Sequence, residues 1–502
     1  MGNLLLVGSG RVWTIKWRAG PSREPLYHGQ GMAGSPDWGQ GDVTKIEQPS
    51  DTQYNQWDEI ASFQASPDRP TLTLSVYEHS GRSDIMELIR IRCPFDIQVH
   101  MGLCEDPRDF DHGWQKVRVL EDASATGYSA TDHGALEGGS QDKITEEMPT
   151  SARWIYDILQ MRYQSVAANE VGEEVIAVDV CDRITCGDCE GVDPSDGCLK
   201  VFAVTNSAGS SPGLLPQVIL TTDQFGTNDI IERWVTTFTL GDNASDAACV
   251  GSNFVVITSD GEEIHYAPTA DMIDEDETWT QVTTGIVAGA GPNAIWNYSP
   301  LFSFIAGLGG YIYLMKNPSD GLTVLDAASI VTDDLNDIEG WDAENVAAVG
   351  DAGAFVYSQD GTNFEAGTAP VGPTDLYALA YRNKSEIWVG GDDGILYVTT
   401  DYGAHWTTKA LPGAGTQVDK ILWLTESVGF VAVRTAAPLG IILRTINGGY
   451  TWYIVPEGAN QAVPVADGFN DMAGCEKEAN RLFIGGLGGD AADGILLKAF
   501  DS

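Results

Sequence analysis

The feature that most narrows the fold is a repeat. From about residue 170 the chain runs seven times through an apolar strand, a Gly-rich turn, a second apolar strand and a polar turn holding Asp or Asn. The second strands fall at 218–223, 255–260, 311–317, 354–360, 395–401, 441–447 and 495–501. Their closing Asp or Asn positions are unevenly spaced, yet the mean spacing falls within the roughly 40 to 50 residues of a four-stranded propeller blade. The expectation is a mostly β chain: residues 1–168 as an α+β sandwich, and residues 169–502 as a seven-bladed β-propeller. At 502 residues, one core would not serve the whole chain. The last repeat has only three strands at position 501, which leaves an open edge, and the strand at 174–180 is expected to close the ring.

The polar turns explain how such a repeat folds. Thr399-Thr400-Asp401-Tyr402-Gly403-Ala404-His405-Trp406 and Thr445-Ile446-Asn447-Gly448-Gly449-Tyr450-Thr451-Trp452 are the best copies, and Ser358-Gln359-Asp360-Gly361-Thr362-Asn363-Phe364 is a third, with Phe for Trp. Thr258, Asp260 and Gly261 form a weaker one. Asp and Ser/Thr oxygens cap backbone N–H groups, Gly403, Gly361 and Gly449 supply the turn, and Trp406 and Trp452 wedge between sheets. These segments resemble the Asp-box (BNR repeat) of sialidase-like and photosystem-assembly-factor-like propellers. The resemblance implies a structural role for the box, away from any active site. An assembly factor like those of the photosystem would fit the repeat and leave the first domain, 1–168, unexplained.

Charge restricts the partners. The chain carries 72 acidic and 28 basic residues, a net −44. Residues 1–165 hold 24 acidic and 15 basic; the remainder hold 48 and 13, so the acidity belongs to the repeat. Such a surface repels nucleic acid and anionic membrane and suits crowded copies or a high-salt habitat. No apolar run approaches the roughly 18 residues that span a bilayer. The start at Met1–Gly8 is not read as a Sec signal.

Residues 1–165 lack the repeat. Strands are expected at 12–17, 71–77 and 95–101, with a short helix capped by Ser83 or Asp84 and stopped by Pro94. Residues 30–56 look like a long loop that reaches a neighbouring subunit. The segments 41–50, 69–74 and 126–129 together resemble tail tube subunits of tailed viruses. That resemblance implies a virion protein whose first domain assembles into stacked homo-oligomeric rings, hexameric before trimeric, beside other tail proteins. The genome would pass through the lumen without specific binding, and an outward propeller would decorate the shaft or touch host glycans. The alternative is an extracellular or cell-surface propeller that binds glycan or protein outside any virion.

Four cysteines, Cys181, Cys186, Cys189 and Cys198, cluster as C-x4-C-x2-C-x8-C. They suit two disulfides, a structural zinc site or, least well, an iron–sulfur loop. Cys93, Cys104, Cys249 and Cys475 read as buried singles. No catalytic residue and no other cofactor is expected. Arg183, Arg233, Arg382, Arg434 and Arg444 do not supply a sialidase triad, and no P-loop, HExxH, GxSxG or dinucleotide fingerprint is present. His265 and His405 read as surface residues of blade turns, and the Gly-rich stretches 307–310 and 485–489 as strand-to-strand turns.

Overall fold

Both apolar strands of each repeat carry apolar residues on both faces, and the computed structural model shows why. The strands at Asn253–Thr258, Val346–Gly350 and Glu386–Gly391 are buried almost end to end, because each lies in a sheet covered by another sheet on either side. The structure describes the strands throughout the chain. Side chains are described mainly for residues 174–180, 201–205, 243–455 with short breaks, 468–474 and 482–487, and for a few positions in 97–155.

The chain divides into two compact units, Met1–Gln160 and Met161–Ser502. In the second, six four-stranded antiparallel sheets are each built from strands consecutive in sequence. Their innermost strands are Glu173–Cys181, Asp246–Val250, Pro292–Ser299, Leu335–Gly340, Leu376–Asn383 and Gly415–Trp423. These are the first to sixth blades of a β-propeller. One further four-stranded sheet is composite: Ala466–Gly474, Arg481–Gly488 and Gly494–Asp501 take Met161–Ser165 as their outer strand, with Met161 paired to Asp501 and Ser165 to Leu497. Contiguous blades therefore number six, one fewer than the repeats suggested, because the last repeat supplies only three strands. The composite sheet packs through Ala466–Gly474 against the innermost strands of both the sixth and the first blade.

Two expectations need correction here. The strand that completes the composite sheet is Met161–Ser165, whereas the expected strand at 174–180 is the innermost strand of the first blade. Strands 218–223, 311–317, 354–360, 395–401, 441–447 and 495–501 match third strands, whereas 255–260 matches the second strand of its blade. That slip accounts for the uneven spacing, short before position 260 and long after it.

Cores form between blades. Phe202 and Val204 of the first blade meet Phe254 and Val256 of the second, and the two phenyl rings stack at 4.8 Å. Separate clusters join second to third, third to fourth, fourth to fifth and fifth to sixth. Burying a Leu-sized side chain contributes roughly 1.5 to 3 kcal/mol. Stability therefore grows with each junction between blades and is weak in any blade alone.

In the first unit, strands run Arg11–Trp17, Thr71–Tyr77 and Phe95–Met101, close to expectation. They belong to a nine-stranded sheet in which Lys116–Ala125 pairs with three neighbours. Ile97, Val119, Leu120 and Ala123 are fully buried. An α+β sandwich is not what the described residues display, and the expected helix lies outside them. The expected long loop contains two short strands, Asp37–Gly39 and Val43–Lys45.

Candidate functional site

Each innermost strand crowds around the propeller axis, so what it carries there is either small or engaged with another blade. A β-bulge interrupts six of the seven innermost strands, and the residue after it is Ala177, Ala294, Asp337, Ala378, Lys420 or Asp471 in turn, the last two strands carrying a further bulge nearer their start. Asp246 opens the remaining one.

Carboxylates tie several blades to the next. Asp246 accepts from the Ile295 N–H, Asp337 from Leu379 and Asp471 from Val178, all at 2.8 Å. The residue before each Asp bonds the backbone carbonyl three positions earlier in that same neighbouring strand. Ser245 Oγ donates to Pro292 O at 3.2 Å, and Asn336 and Asn470 donate to Leu376 O and Val175 O at 3.1 and 2.9 Å. Asn293 does the same to Leu335 O at 2.8 Å. Asp179 accepts from Cys249 N–H at 2.7 Å. These bonds give partners to backbone groups on the inner edge of the innermost strands, which no further strand covers.

Lys420 is the cation among them, its Nζ 3.4 Å from Asp337 and 3.5 Å from Asp471. Burial alone would lower its pKa, yet Asp337, Asp471, Asp246 and Glu339 hold the ammonium well above the ordinary lysine range. Burial pushes Asp246 up to about 7, with Asp471 adding to the rise and Lys420 opposing it. Asp471 is also raised, by burial first.

The Ser/Thr-x-Asp/Asn turns lie between third and outer strands. Ser358 Oγ accepts from Gly361 N–H at 3.0 Å, Thr399 Oγ1 from Gly403 at 2.8 Å and Thr445 Oγ1 from Gly449 at 2.9 Å. Asp360 accepts from the N–H groups of Thr362 and Asn363, which, Asn363 foremost, hold its carboxyl far below the usual range. Asp401 accepts from His405 N–H and meets its ring at 2.7 Å; that contact lowers its pKa first. Asn447 takes the same place, accepting from Thr451 N–H at 2.9 Å.

The aromatics plug junctions with the preceding blade. Trp406 meets Phe355 edge-on at 5.2 Å and donates to Thr368 O at 2.8 Å, while Trp452 packs on Trp388 at 6.0 Å. Phe364 joins the core between third and fourth blades. Gly449, at φ 78°, has no room for a side chain, since a Cβ would stand 2.2 Å from Trp388. Thr258 sits elsewhere: its Oγ1 accepts from Glu263 N–H at 3.1 Å, in a turn between second and third strands that includes Gly261. Asp260 lies outside the described residues.

Among the described residues, the arginine side chains are engaged by the blades themselves, Arg434 lying 3.3 Å from Asp419. Arg382, buried between fifth and sixth blades, donates to Glu386 at 2.7 Å and lies 5.2 Å over Trp423. Arg444 is also fully buried. His265 is buried beside Glu263 at 3.2 Å, a correction to its expected place on the surface, whereas the His405 side chain is 90% exposed.

Of the cysteine cluster, Cys181 ends the innermost strand of the first blade, while Cys186, Cys189 and Cys198 lie outside the described residues. Cys249 is disulfide-bonded, not single. Among the described residues, no group of His, Cys, Asp and Glu is placed to hold a metal ion, and no helix is long and apolar enough to cross a membrane.

One surface carries a set of exposed apolar side chains. In the turn after the fourth blade's innermost strand, Trp341 is 43% exposed, and in the corresponding turn of the third blade Leu301 is 61% exposed. Tyr298 and Phe302 flank that second turn, also exposed. Tyr298 packs on Trp296 at 5.9 Å, and the Trp296 ring lies so close to Gly340 that a Cβ there would stand 2.6 Å from it.

The Trp341 turn is rigidly made. Trp341 N–H donates to Asn345 O at 2.9 Å, and Asp342 accepts from the N–H groups of Glu344 and Asn345 at 3.0 and 2.9 Å. The sixth blade repeats this turn: Leu424 N–H donates to Val428 O at 3.0 Å, and Thr425 accepts from Ser427 and Val428 at 3.2 and 3.0 Å. There Leu424 is buried, at 4%. No motif in the sequence announced the Trp341 surface; comparison of residues 340–346 with 423–429 was the available signal.

No protein-family model matches the sequence, and no curated protein does. Among solved structures, YCF48 from Cyanidioschyzon merolae is 13% identical, with a TM-score of 0.47, over 68% of this chain and 98% of that one. YCF48 bound to D1 peptide gives 13% and 0.48, over 69% and 98%. The WD40 repeats of RRP9 give 9% and 0.47, over 68% and 97%.

Proposed function

We propose that this chain is a non-enzymatic recognition protein, an extracellular or cell-surface propeller that holds a partner on the face bearing Trp341. One observation carries the reading. The same hydrogen-bonded turn exists in the fourth and sixth blades, yet one buries Leu424 and the other exposes Trp341, so the fold does not require an exposed indole. Exposed aromatics beside polar rims mark binding sites.

Two facts support the rest. The axial carboxylates accept hydrogen bonds from neighbouring blades, which suits a rigid platform better than a reaction centre. The Cys249 disulfide favours an oxidising compartment. The tail-tube reading draws no comparable support from the first unit's described strands.

The test is to probe arrays of immobilised peptides and glycans with the full chain and with Trp341→Ser. Saturable binding lost in the variant is the expected result. Hits that survive the substitution unchanged would remove Trp341 from the account, and rings or tubes of purified chain in electron micrographs would restore the virion reading.

A further inference from the structure

The charge around Trp341 narrows what it holds. The indole shares its turn with Asp342 and Glu344. The neighbouring turn brings Asp360, because Gly361 N–H donates to Glu344 O at 3.0 Å. Exposed Asp320 occupies the matching turn of the third blade. Among the described residues, Lys316 and Lys384 are the bases in these and the adjoining turns, and Lys384 already faces Asp342 at 3.6 Å.

Resting on the recognition reading above, we infer that the partner is a basic, extended protein segment that sets Lys or Arg side chains against Trp341 and Tyr298. An exposed indole attracts such a cation through its face, and the aliphatic stem covers the ring. The surrounding carboxylates answer its charge. A neutral glycan gains nothing from the acidic excess that the repeat half carries, an anionic glycan is repelled, and so is a second copy of this chain at −44. Because Asp342 and Asn345 already fix the turn, little ordering cost opposes docking.

Titration calorimetry of the full chain tests this with three probes: a short amidated peptide alternating Gly and Arg, its Gln counterpart, and a neutral oligosaccharide. The expected result is saturable binding of the Arg peptide alone, weakened by salt and weakened roughly tenfold in Trp341→Leu. Leu is the residue the sixth blade holds at this position, and an unchanged urea midpoint shows that the variant folds. Equal affinity for the Arg and Gln peptides, an unaffected Trp341→Leu variant, or no Arg-peptide binding at low salt each overturns the inference. Oligosaccharide binding that is lost in Trp341→Leu also overturns it, and leaves the recognition surface standing.

Discussion

Lys420 sits between carboxylates from different blades, and removing its charge leaves the buried Asp337 and Asp471 without their shared cation. Lys420→Met is expected to cost about 3 to 5 kcal/mol at neutral pH, the usual penalty for breaking a buried pair, read from urea denaturation. Asp246 adds a pH signature. Its folded pKa, about 7, lies above that of an unfolded Asp, so the folded chain binds more protons between about pH 4 and 7. Stability from this group is fully present below about pH 4 and is lost as pH rises through about 7, with a slope of at most about 1.4 kcal/mol per pH unit. The difference in unfolding free energy between wild type and Asp246→Asn should show that slope across the window and flatten above it; a flat difference throughout refutes it. These residues were legible only in hindsight. Ser245-Asp246-Ala247, Asn336-Asp337-Ile338 and Asn470-Asp471-Met472 recur at intervals close to two and then three blade periods, but their role appears only once neighbouring strands are placed side by side.

Turns and strands, one scale up, differ in how plainly the sequence declares them. The turns at 358–364, 399–406 and 445–452 were readable because a Thr or Ser, an Asp or Asn, a Gly and an aromatic each do a separable local job. The copy at Thr258 was misplaced because second and third strands are equally apolar, and composition alone cannot tell which turn follows. The hydrogen bonds make a graded prediction. Thr445→Val and Thr399→Val each leave buried N–H groups without their acceptor and should cost about 1 to 3 kcal/mol. Thr258→Val, which loses the acceptor for Glu263 N–H alone, should cost less, and equal losses in urea midpoint would contradict the assignment. Burial of Leu424 against exposure of Trp341 follows a different logic. Local hydrogen bonds set the backbone of the turn and leave the burial of its side chain open.

Across the propeller unit, stability depends on completing the composite sheet, because Ala466–Gly474 contacts both the sixth and the first blade. The sequence announced a missing fourth strand but not its source, since 161–165 and 174–180 are both short, strand-like and upstream of the first repeat. Pairing decides between them: Glu173–Cys181 is already matched to Leu199–Ser207, leaving Met161–Ser165 to meet Gly494–Asp501. In an outer strand, alternate N–H groups face the sheet and solvent, so proline scanning tests the closure. Of Tyr163→Pro and Gln164→Pro, one removes a bond to Gly494–Asp501 and the other does not. The disruptive variant should speed amide exchange across 495–501 and lower the melting temperature, and the other should do neither. If both variants leave exchange there unchanged, Met161–Ser165 does not hold the last sheet, and the ring must draw its closing strand from somewhere else.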